Sequence, residues 1–233
     1  MSGEVVDNVV ASDHAFTGVR LHGYWRSSSA WRVRIALNVK GIAFEHIGVN
    51  IAPGKDEQKS DAFRAKNPLA QVPILAFVGG GLDGRTLTQS LAVIELLDEL
   101  VPTPALLPST AWGRAQARML AEIVNSGTQP LQNLTVQGQI KSLGGDVNAW
   151  LLRVIGDGLT ALEHAAQQSA GRYLVGDDVS VADCCLVPQL YGARRFNVPL
   201  EAYPTLLAVE ANCAALPAFA AAHPDVQPDA PKP

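Results

Sequence analysis

Between two segments of alternating apolar and polar residues lies the stretch SSSAWRVRIALNVKG, residues 27–41. After three serines, apolar residues recur at every fourth position from Trp31, and Gly41 follows where a helix would end. The flanking segments, residues 19–24 and 43–51, alternate as strands do. Because a hairpin cannot contain a dozen helical residues, the stretch predicts a β-α-β unit with parallel strands.

The residues that follow extend this unit to a small mixed domain. The pair Val72-Pro73 begins an apolar run, and proline belongs at the first residue of a strand or in a turn, where a cis bond is compatible. Glycines between residues 79 and 84 predict a β-hairpin with an enlarged loop. Gln89 and Ser90 then open a helix, so the predicted order is β-α-β-α-β-β-α.

The second half of the chain is predicted to be helical. Residues 101–104, VPTP, form a stiff break that is typical of an interdomain linker. Ser180 and Asp183 form a capping signature ahead of an apolar helix. Helical patterning fills three ranges: 112–136, 147–168 and 181–192. The predicted fold class is α/β plus all-α, a mixed domain followed by a helical one.

Composition narrows the class of protein. With 233 residues, 48% hydrophobic and 17% charged, the chain can fill one or two cores and is not a disordered protein. The net charge of 18 − 22 = −4 predicts neither a nucleic-acid partner nor an acidic membrane partner. The first eighteen residues lack the apolar run of a signal peptide, and we expect no membrane span. Three cysteines are no disulfide framework and favour a reducing, cytoplasmic location.

Several kinds of functional site are not expected. The five histidines show no ligand spacing and there is no Cys-x-x-Cys, so no metal site is predicted. Gly79 to Gly81 lack the Lys-Ser/Thr of a phosphate loop. Cys184 and Cys185 fall in an apolar helix and are interpreted as buried, inert thiols. No Ser-His-Asp arrangement can be proposed.

Taken together, the chain resembles the cytosolic glutathione transferases. Residues 27–41 are similar to the SSCxWRVRIALxxKG signature of the zeta class. Further matches run in family order from about residue 20 to 228: NPLAQVPIL (67–75), LTQSLAVIELLDE (87–99), ALLP (105–108), GTQPLQNLTV (127–136) and VADCCLVPQLYGARRF (181–196).

The resemblance implies a division of the chain into a thioredoxin-like glutathione-binding domain and a helical bundle that binds the substrate. The implied boundaries are an extension (1–18), the thioredoxin-like domain (19–101), a linker (102–111), the helical domain (112–228) and a tail (229–233). The extension is expected to be disordered.

The three serines are the first candidate site. Ser27, Ser28 and Ser29 lie between the end of a strand and the start of a helix, the usual ligand side of such a sheet, where the helix dipole favours an anion. A free thiol, with a pKa of about 8.5, needs such help to ionise at neutral pH. Spacing alone leaves simple helix capping equally open. The resemblance implies that glutathione is the cofactor, with its sulfur near these serines. Ser27 would be the main catalytic donor, with Ser28 and Ser29 in supporting catalytic roles.

The resemblance implies further glutathione contacts. Val72 would pair through its main chain, and Gln89 and Ser90 would hold the γ-glutamyl carboxylate, although such a pair by itself is more often a helix cap. The remaining implied contacts are Gln58, Gln129 and Asn133. For the last two, the alternatives are ordinary helix surface or a dimer contact.

A dicarboxylate or diketo-acid substrate would need cations. Arg26 lies beside the serines, and Arg195 matches an arginine that reaches the cleft in the family. Guanidinium groups suit carboxylates. Arg32 and Arg194 are interpreted as structural.

The implied reaction is the isomerisation of maleylacetoacetate to fumarylacetoacetate in tyrosine and phenylalanine breakdown, by thiolate addition, bond rotation and elimination in a homodimer. The family's cysteine is Ser29 here, and a serine cannot form a mixed disulfide, so reductive dehalogenation is disfavoured. Three alternatives stay open: a maleylpyruvate isomerase, a glutathione transferase acting on α-halo acids, and a non-catalytic glutathione-binding module. The serine run and the intact Gln89-Ser90 pair disfavour the last.

Overall fold

The computed structural model describes residues 15–232 and begins with a four-stranded mixed sheet of order β2-β1-β3-β4. The strands are β1 (Gly18–Gly23), β2 (Phe44–Gly48), β3 (Ile74–Val78) and β4 (Thr86–Thr88). β1 runs parallel to β2, with Leu21 opposite His46, while β3 is antiparallel to both β1 and β4. The predicted β-α-β unit and the predicted hairpin are therefore confirmed.

Helix α1 (Ser28–Val39) is shared by the two halves of the molecule. Val33 and Leu37 are fully buried against the sheet, whereas Trp31 and Ile35 are buried in the core of the helical half. Because both of its faces are covered, all eight residues from Ala30 to Leu37 are buried, including the charged side chains of Arg32 and Arg34. The short helix α2 (Asp61–Arg64) and α3 (Ser90–Leu100) complete the first domain.

The second domain is helical, as predicted. Its helices in the described part of the chain are α4 (Ala111–Glu122), α5 (Leu134–Ser142), α6 (Val147–Ala166), α7 (Val181–Arg195), α8 (Pro204–Ala214) and α9 (Pro217–Ala222). Sequence patterning did not predict α8 and α9, two short helices that each begin with a proline.

The predicted helix over 112–136 is interrupted. After α4 the chain widens into a π-helical turn, Ile123–Thr128, and then tightens into a 3₁₀ turn, Gln129–Gln132. Thr128 Oγ1 donates to Ile123 O at 2.8 Å, and α6 approaches so closely that a Cβ at Gly158 would overlap the Thr128 side chain. π-turns of this kind are frequent at functional sites, because they redirect side chains out of the helical register.

The linker between the domains is fixed by a buried lysine. The Lys40 ammonium, at the end of α1, donates to Asp98 and to the carbonyls of Val101 (2.7 Å) and Pro104. Asp98 Oδ1 also accepts the Leu106 N–H at 2.7 Å. The linker is therefore held by charge-assisted hydrogen bonds as well as by its prolines.

The predicted capping box at the start of α7 is confirmed. Asp183 is buried and accepts the Ser180 N–H at 2.8 Å and the Leu174 N–H at 2.9 Å. Burial raises the pKa of Asp183 to about 6, against the hydrogen bonds that favour its charged form. The adjacent Cys184 and Cys185 are unpaired and completely buried, as predicted, and burial raises the pKa of Cys185 to about 11.

The ends of the described chain lie against the first domain. Of the predicted extension, residues 1–14 lie outside the described part, whereas the Phe16 ring packs against Phe77 at a tilt of 58°, with ring centroids 5.6 Å apart. At the other end, in the predicted tail, Asp229 contacts β2 and the turn after β1. No helix within residues 15–232 is long and apolar enough to cross a membrane.

Candidate active site

The turn that follows β1 presents the predicted serines. Ser27 N–H donates to Tyr24 O at 2.9 Å, which closes the turn 24–27. Ser27 is also the N-cap of α1, because its Oγ accepts the Ala30 N–H at 3.2 Å. A hydroxyl carries one donor and two acceptor positions, so the Ser27 O–H remains able to donate to a ligand.

A cavity of about 240 Å³ opens in front of this turn, between the two domains. Its lining includes eight of the predicted cofactor-binding residues: Ser27, Ser29, Gln58, Val72, Gln89, Ser90, Gln129 and Asn133. Ser28 faces an adjoining cavity instead. Residues far apart in the chain, from both domains, are therefore brought together around one space.

Ser90, at the start of α3, is backed by a buried cation. Arg32 is 1% exposed, and its Nη1 donates to Ser90 Oγ at 3.3 Å and to Asn125 Oδ1 at 2.7 Å. Because a guanidinium only donates, Ser90 Oγ must accept this bond, which leaves the Ser90 hydroxyl hydrogen free for a ligand in the cavity. The interpretation of Arg32 as structural is therefore incomplete, since it orients a cavity residue and places a positive charge behind it.

Asn125 is a cavity residue that the sequence did not indicate. It lies on the π-helical turn, lines the first cavity, and donates through Nδ2 to the Glu122 carboxylate at 3.3 Å. A regular helix was predicted here. The only local signals of an irregularity were Gly127 and Pro130, which do not tell which side chain is redirected into the cavity.

Unsatisfied polar groups face the cavity from the first domain. The Val72-Pro73 peptide bond is cis, and within residues 15–232 the Val72 N–H has no hydrogen-bond acceptor. Gln58 is buried, and its Oε1 lacks a partner in the described part of the chain. Both residues line the cavity, and an unpaired backbone N–H at its wall suits a carbonyl of a peptide-like ligand.

The adjoining cavity, of about 180 Å³, is cationic. Arg26 and Arg195 both line it; Arg26 lies over the Trp25 ring at 5.0 Å, and Arg195 over Phe196 at 5.3 Å. Burial lowers the pKa of Arg195, and the charge of Arg26 lowers it further. Among the described residues, no carboxylate lies within 4.0 Å of either guanidinium. Two neighbouring cations without a counter-ion are suited to an anionic ligand.

The two cavities share one part of their lining. Ser27, Gln129 and Asn133 face both spaces, and Gln129 Nε2 donates to Asn133 Oδ1 at 2.7 Å. Arg194, by contrast, makes a bidentate pair with Glu210 outside both cavities, in keeping with the structural role predicted for it. The site thus joins a polar compartment to a cationic one along a shared wall that includes Ser27.

Two models of glutathione S-transferase domains and a mouse enzyme match this chain in sequence. Residues 21–105 match the family model of the glutathione S-transferase N-terminal domain, and residues 147–221 match that of the C-terminal domain. The mouse maleylacetoacetate isomerase is 45% identical over 91% of this chain and 94% of its own length.

Two solved structures extend the comparison. A maleylacetoacetate isomerase from Anaeromyxobacter dehalogenans 2CP-1, with glutathione bound in its active site, has a TM-score of 0.83 and 51% identity, covering 92% of this chain and 98% of its own. A maleylpyruvate isomerase, described as a bacterial zeta-class glutathione S-transferase, has the same TM-score of 0.83 and 43% identity, covering 91% and 100%. This chain therefore belongs to the glutathione transferase family, and within it to the zeta class.

Proposed function

We propose that this chain is a glutathione-dependent cis–trans isomerase that converts maleylacetoacetate to fumarylacetoacetate, a step of tyrosine and phenylalanine breakdown. The observation that carries the proposal is the position of Ser27. Ser27 lines both the polar cavity and the cavity that contains Arg26 and Arg195. A thiol activated there would face a bound carboxylic acid.

The polar cavity fits glutathione by the chemistry of its lining. The Val72 N–H, which has no acceptor in the described part of the chain, matches a carbonyl of a tripeptide, and Gln58 lines the same cavity. The Ser90 hydroxyl, backed by Arg32, suits a carboxylate at the start of a helix. The solved relative from Anaeromyxobacter dehalogenans 2CP-1 holds glutathione in its active site, which supports the same assignment.

Glutathione, when bound, would supply a thiolate that adds to one carbon of the cis double bond, which leaves a single bond free to rotate, and that is expelled as the double bond re-forms in the trans geometry. The Ser27 hydroxyl donates to the sulfur and lowers its pKa, with Ser28 and Ser29 on the first turn of α1 adding polar groups beside it. Arg26 and Arg195 hold the carboxylate of the diketo acid and stabilise the negative charge that develops on it. No protein thiol takes part, because all three cysteines are buried.

Maleylpyruvate is the second candidate substrate. The solved zeta-class maleylpyruvate isomerase is 43% identical to this chain, close to the 45% of the mouse maleylacetoacetate isomerase. The two substrates require the same chemistry on acids of different size. Ser29 lines the cavity where the family has a cysteine, so α-halo acid dehalogenation through a mixed disulfide is disfavoured.

Initial rates on both substrates, with and without glutathione, test the proposal. We expect turnover that requires glutathione, with a higher kcat/KM on maleylacetoacetate than on maleylpyruvate. A reversed ratio would favour the second candidate. Glutathione binding without turnover of either acid would refute the isomerase assignment and favour a non-catalytic glutathione-binding module.

We also propose that the chain forms a homodimer. On α4, Trp112 is 74% exposed and Met119 is 48% exposed, and these residues lie two turns apart on one face. Large exposed apolar side chains of this kind mark interaction surfaces. Light scattering should give twice the chain mass, and Trp112→Lys should shift the equilibrium toward the monomer; a monomeric parent would contradict the proposal.

The three unpaired cysteines support a cytoplasmic location.

A further inference from the structure

Beyond the last helix, the chain returns to the first domain and contacts the turn that carries Ser27. Asp229 Oδ2 accepts the Trp25 N–H at 2.9 Å, across a separation of 204 residues. Its other oxygen, Oδ1, lies 2.9 Å from His46 Nε2 on β2, and the His46 side chain is only 4% exposed. A Cβ at Gly48 would lie 3.1 Å from Asp229 Cβ, so the glycine leaves room for this approach.

The carbonyl group of Trp25 is bound by a second charged side chain, that of Arg34. Arg34 is fully buried in α1, and its Nη2 donates to Trp25 O at 2.8 Å. Its Nε donates to Ala222 O at 3.1 Å, at the end of α9 where the returning segment begins. Both polar backbone groups of Trp25 are therefore bound to charged side chains, and charge-assisted hydrogen bonds are the stronger kind.

We propose that residues 223–232 form a C-terminal strap whose Asp229 is a positioning residue for the turn 24–27, and through it for Arg26 and Ser27. The inference rests on the proposed function, because it assigns the strap an effect on the sulfur that Ser27 would bind. Consecutive Cα atoms are about 3.8 Å apart, so a movement of Trp25 is passed directly to the next two residues. A displacement of about 1 Å in a catalytic group can cost about 100-fold in rate.

The charge of Asp229 supports this role. Burial by itself raises the pKa of this carboxyl, but the His46 ring 2.9 Å from Oδ1 and the Trp25 N–H at Oδ2 hold it below its usual range. Asp229 is therefore a carboxylate at neutral pH and the stronger acceptor for the Trp25 N–H. Within the strap, Gln227 Nε2 donates to the carbonyls of Ala221 (3.0 Å) and His223 (2.8 Å), which fixes the path of the segment.

Two variants and a matched control test the strap. Asp229→Ala removes both carboxylate contacts, whereas Asp229→Asn keeps an oxygen acceptor for the Trp25 N–H. Asp225→Asn removes the same charge from the same strap, at a side chain that is 65% exposed and lies 3.6 Å from the His223 ring. The readouts are hydrogen exchange of the amides of residues 24–27 without glutathione, the thiol pKa of bound glutathione from its ultraviolet absorbance, and kcat/KM.

We expect Asp229→Ala to speed exchange of the turn amides, to raise the thiol pKa, and to lower kcat/KM about tenfold or more, by the sensitivity of rate to position. Asp229→Asn should fall between this variant and the parent, and Asp225→Asn should match the parent. Parental exchange and parental thiol pKa in both Asp229 variants would overturn the proposal. So would a loss of thermal stability with an unchanged thiol pKa, which would make the strap merely structural. If Asp229→Ala does not fold, Asp229→Asn decides, since a parental result in all three readouts overturns the proposal.

These outcomes separate the strap from the proposed function. If the parent binds glutathione but does not isomerise either acid, the isomerase assignment fails, while the amide exchange and the thiol pKa still report on Asp229.

Discussion

Ser27→Ala removes two interactions at once, and their sizes can be separated. The first is the helix cap, because Ser27 Oγ accepts the Ala30 N–H at 3.2 Å. Loss of such a cap costs about 1 kcal/mol of stability, which lowers Tm by about 2–4 °C in a protein of this size. The second is the hydrogen bond from the hydroxyl to the proposed thiolate.

The thiolate interaction sets the expected effect on catalysis. A hydrogen bond to a charged group contributes about 1.5–3 kcal/mol, and about 1.36 kcal/mol corresponds to one pKa unit. Ser27→Ala should therefore raise the thiol pKa of bound glutathione by about 1–2 units. At a pH below the parental thiol pKa, each unit by which the pKa rises lowers the thiolate fraction tenfold, so the variant should hold roughly 10- to 100-fold less thiolate and react correspondingly more slowly there.

Two control variants distinguish capping from activation. Ser27→Gly has no hydroxyl but costs only a few tenths of a kcal/mol as a cap, so it should lose activity with little change in Tm. Thr110→Ala removes a comparable cap at the start of α4, where Thr110 Oγ1 accepts the Gly113 N–H at 3.0 Å, and should lower Tm without changing the thiol pKa. The assays are absorbance titration of the bound thiol, initial rates and thermal unfolding. A parental thiol pKa and rate in both Ser27 variants would refute the assigned role.

Other consequences of the structure can be measured independently. Arg195→Gln should raise KM for the acid substrate about tenfold, by the loss of one charged hydrogen bond of about 1.4 kcal/mol or more, whereas Arg194→Gln should leave KM unchanged in the same initial-rate assay; equal effects would contradict the cationic cavity. Alkylation followed by mass spectrometry should leave three thiols unmodified in the folded chain and modify them in denaturant, because burial raises the pKa of each: Cys184, Cys185 and Cys213. Burial alone raises the pKa of Glu163, but hydrogen bonds from the start of α8 hold this pKa below its usual range. The ionised carboxylate therefore stabilises the folded chain at neutral pH, and this stabilisation is lost as the pH falls through the folded-state pKa. Glu163→Gln should therefore lower the free energy of unfolding by about 1–3 kcal/mol at neutral pH, and denaturant titrations should show the difference shrinking below the ordinary glutamate pKa of about 4.3; a pH-independent difference would contradict this account.

Local pattern was sufficient for most of the fold. The period of α1, the glycines of the β3–β4 loop and the Ser180–Asp183 capping box each depend on residues within a few positions of one another. The interruption after α4 was missed, because it depends on the approach of α6 at Gly158 and on the Thr128 side chain. Apolar periodicity in the sequence is the same on either side of a π-turn, so it cannot locate one.

The family motifs likewise led to residues that line the two cavities, from Ser27 to Arg195, although their individual roles remain predictions. The sequence did not connect three residues with the site: Arg32 was interpreted as structural, Asn125 as part of a regular helix, and Asp229 as part of a tail. Each acts through a distant partner. Arg32 bonds to Ser90 and Asn125 at separations of 58 and 93 residues.

By itself, then, the sequence determined the β-α-β unit, the helical second half and the family to which the chain belongs, because secondary structure and motif identity are properties of neighbouring residues. Only the tertiary structure decided which groups stand behind the site: Arg32 beneath Ser90, and Asp229 on the Trp25 N–H. The physical reason is that a buried charge must find its hydrogen-bond partners wherever packing brings them. The fold of the whole chain decides that pairing, and the spacing of residues in the sequence does not indicate it.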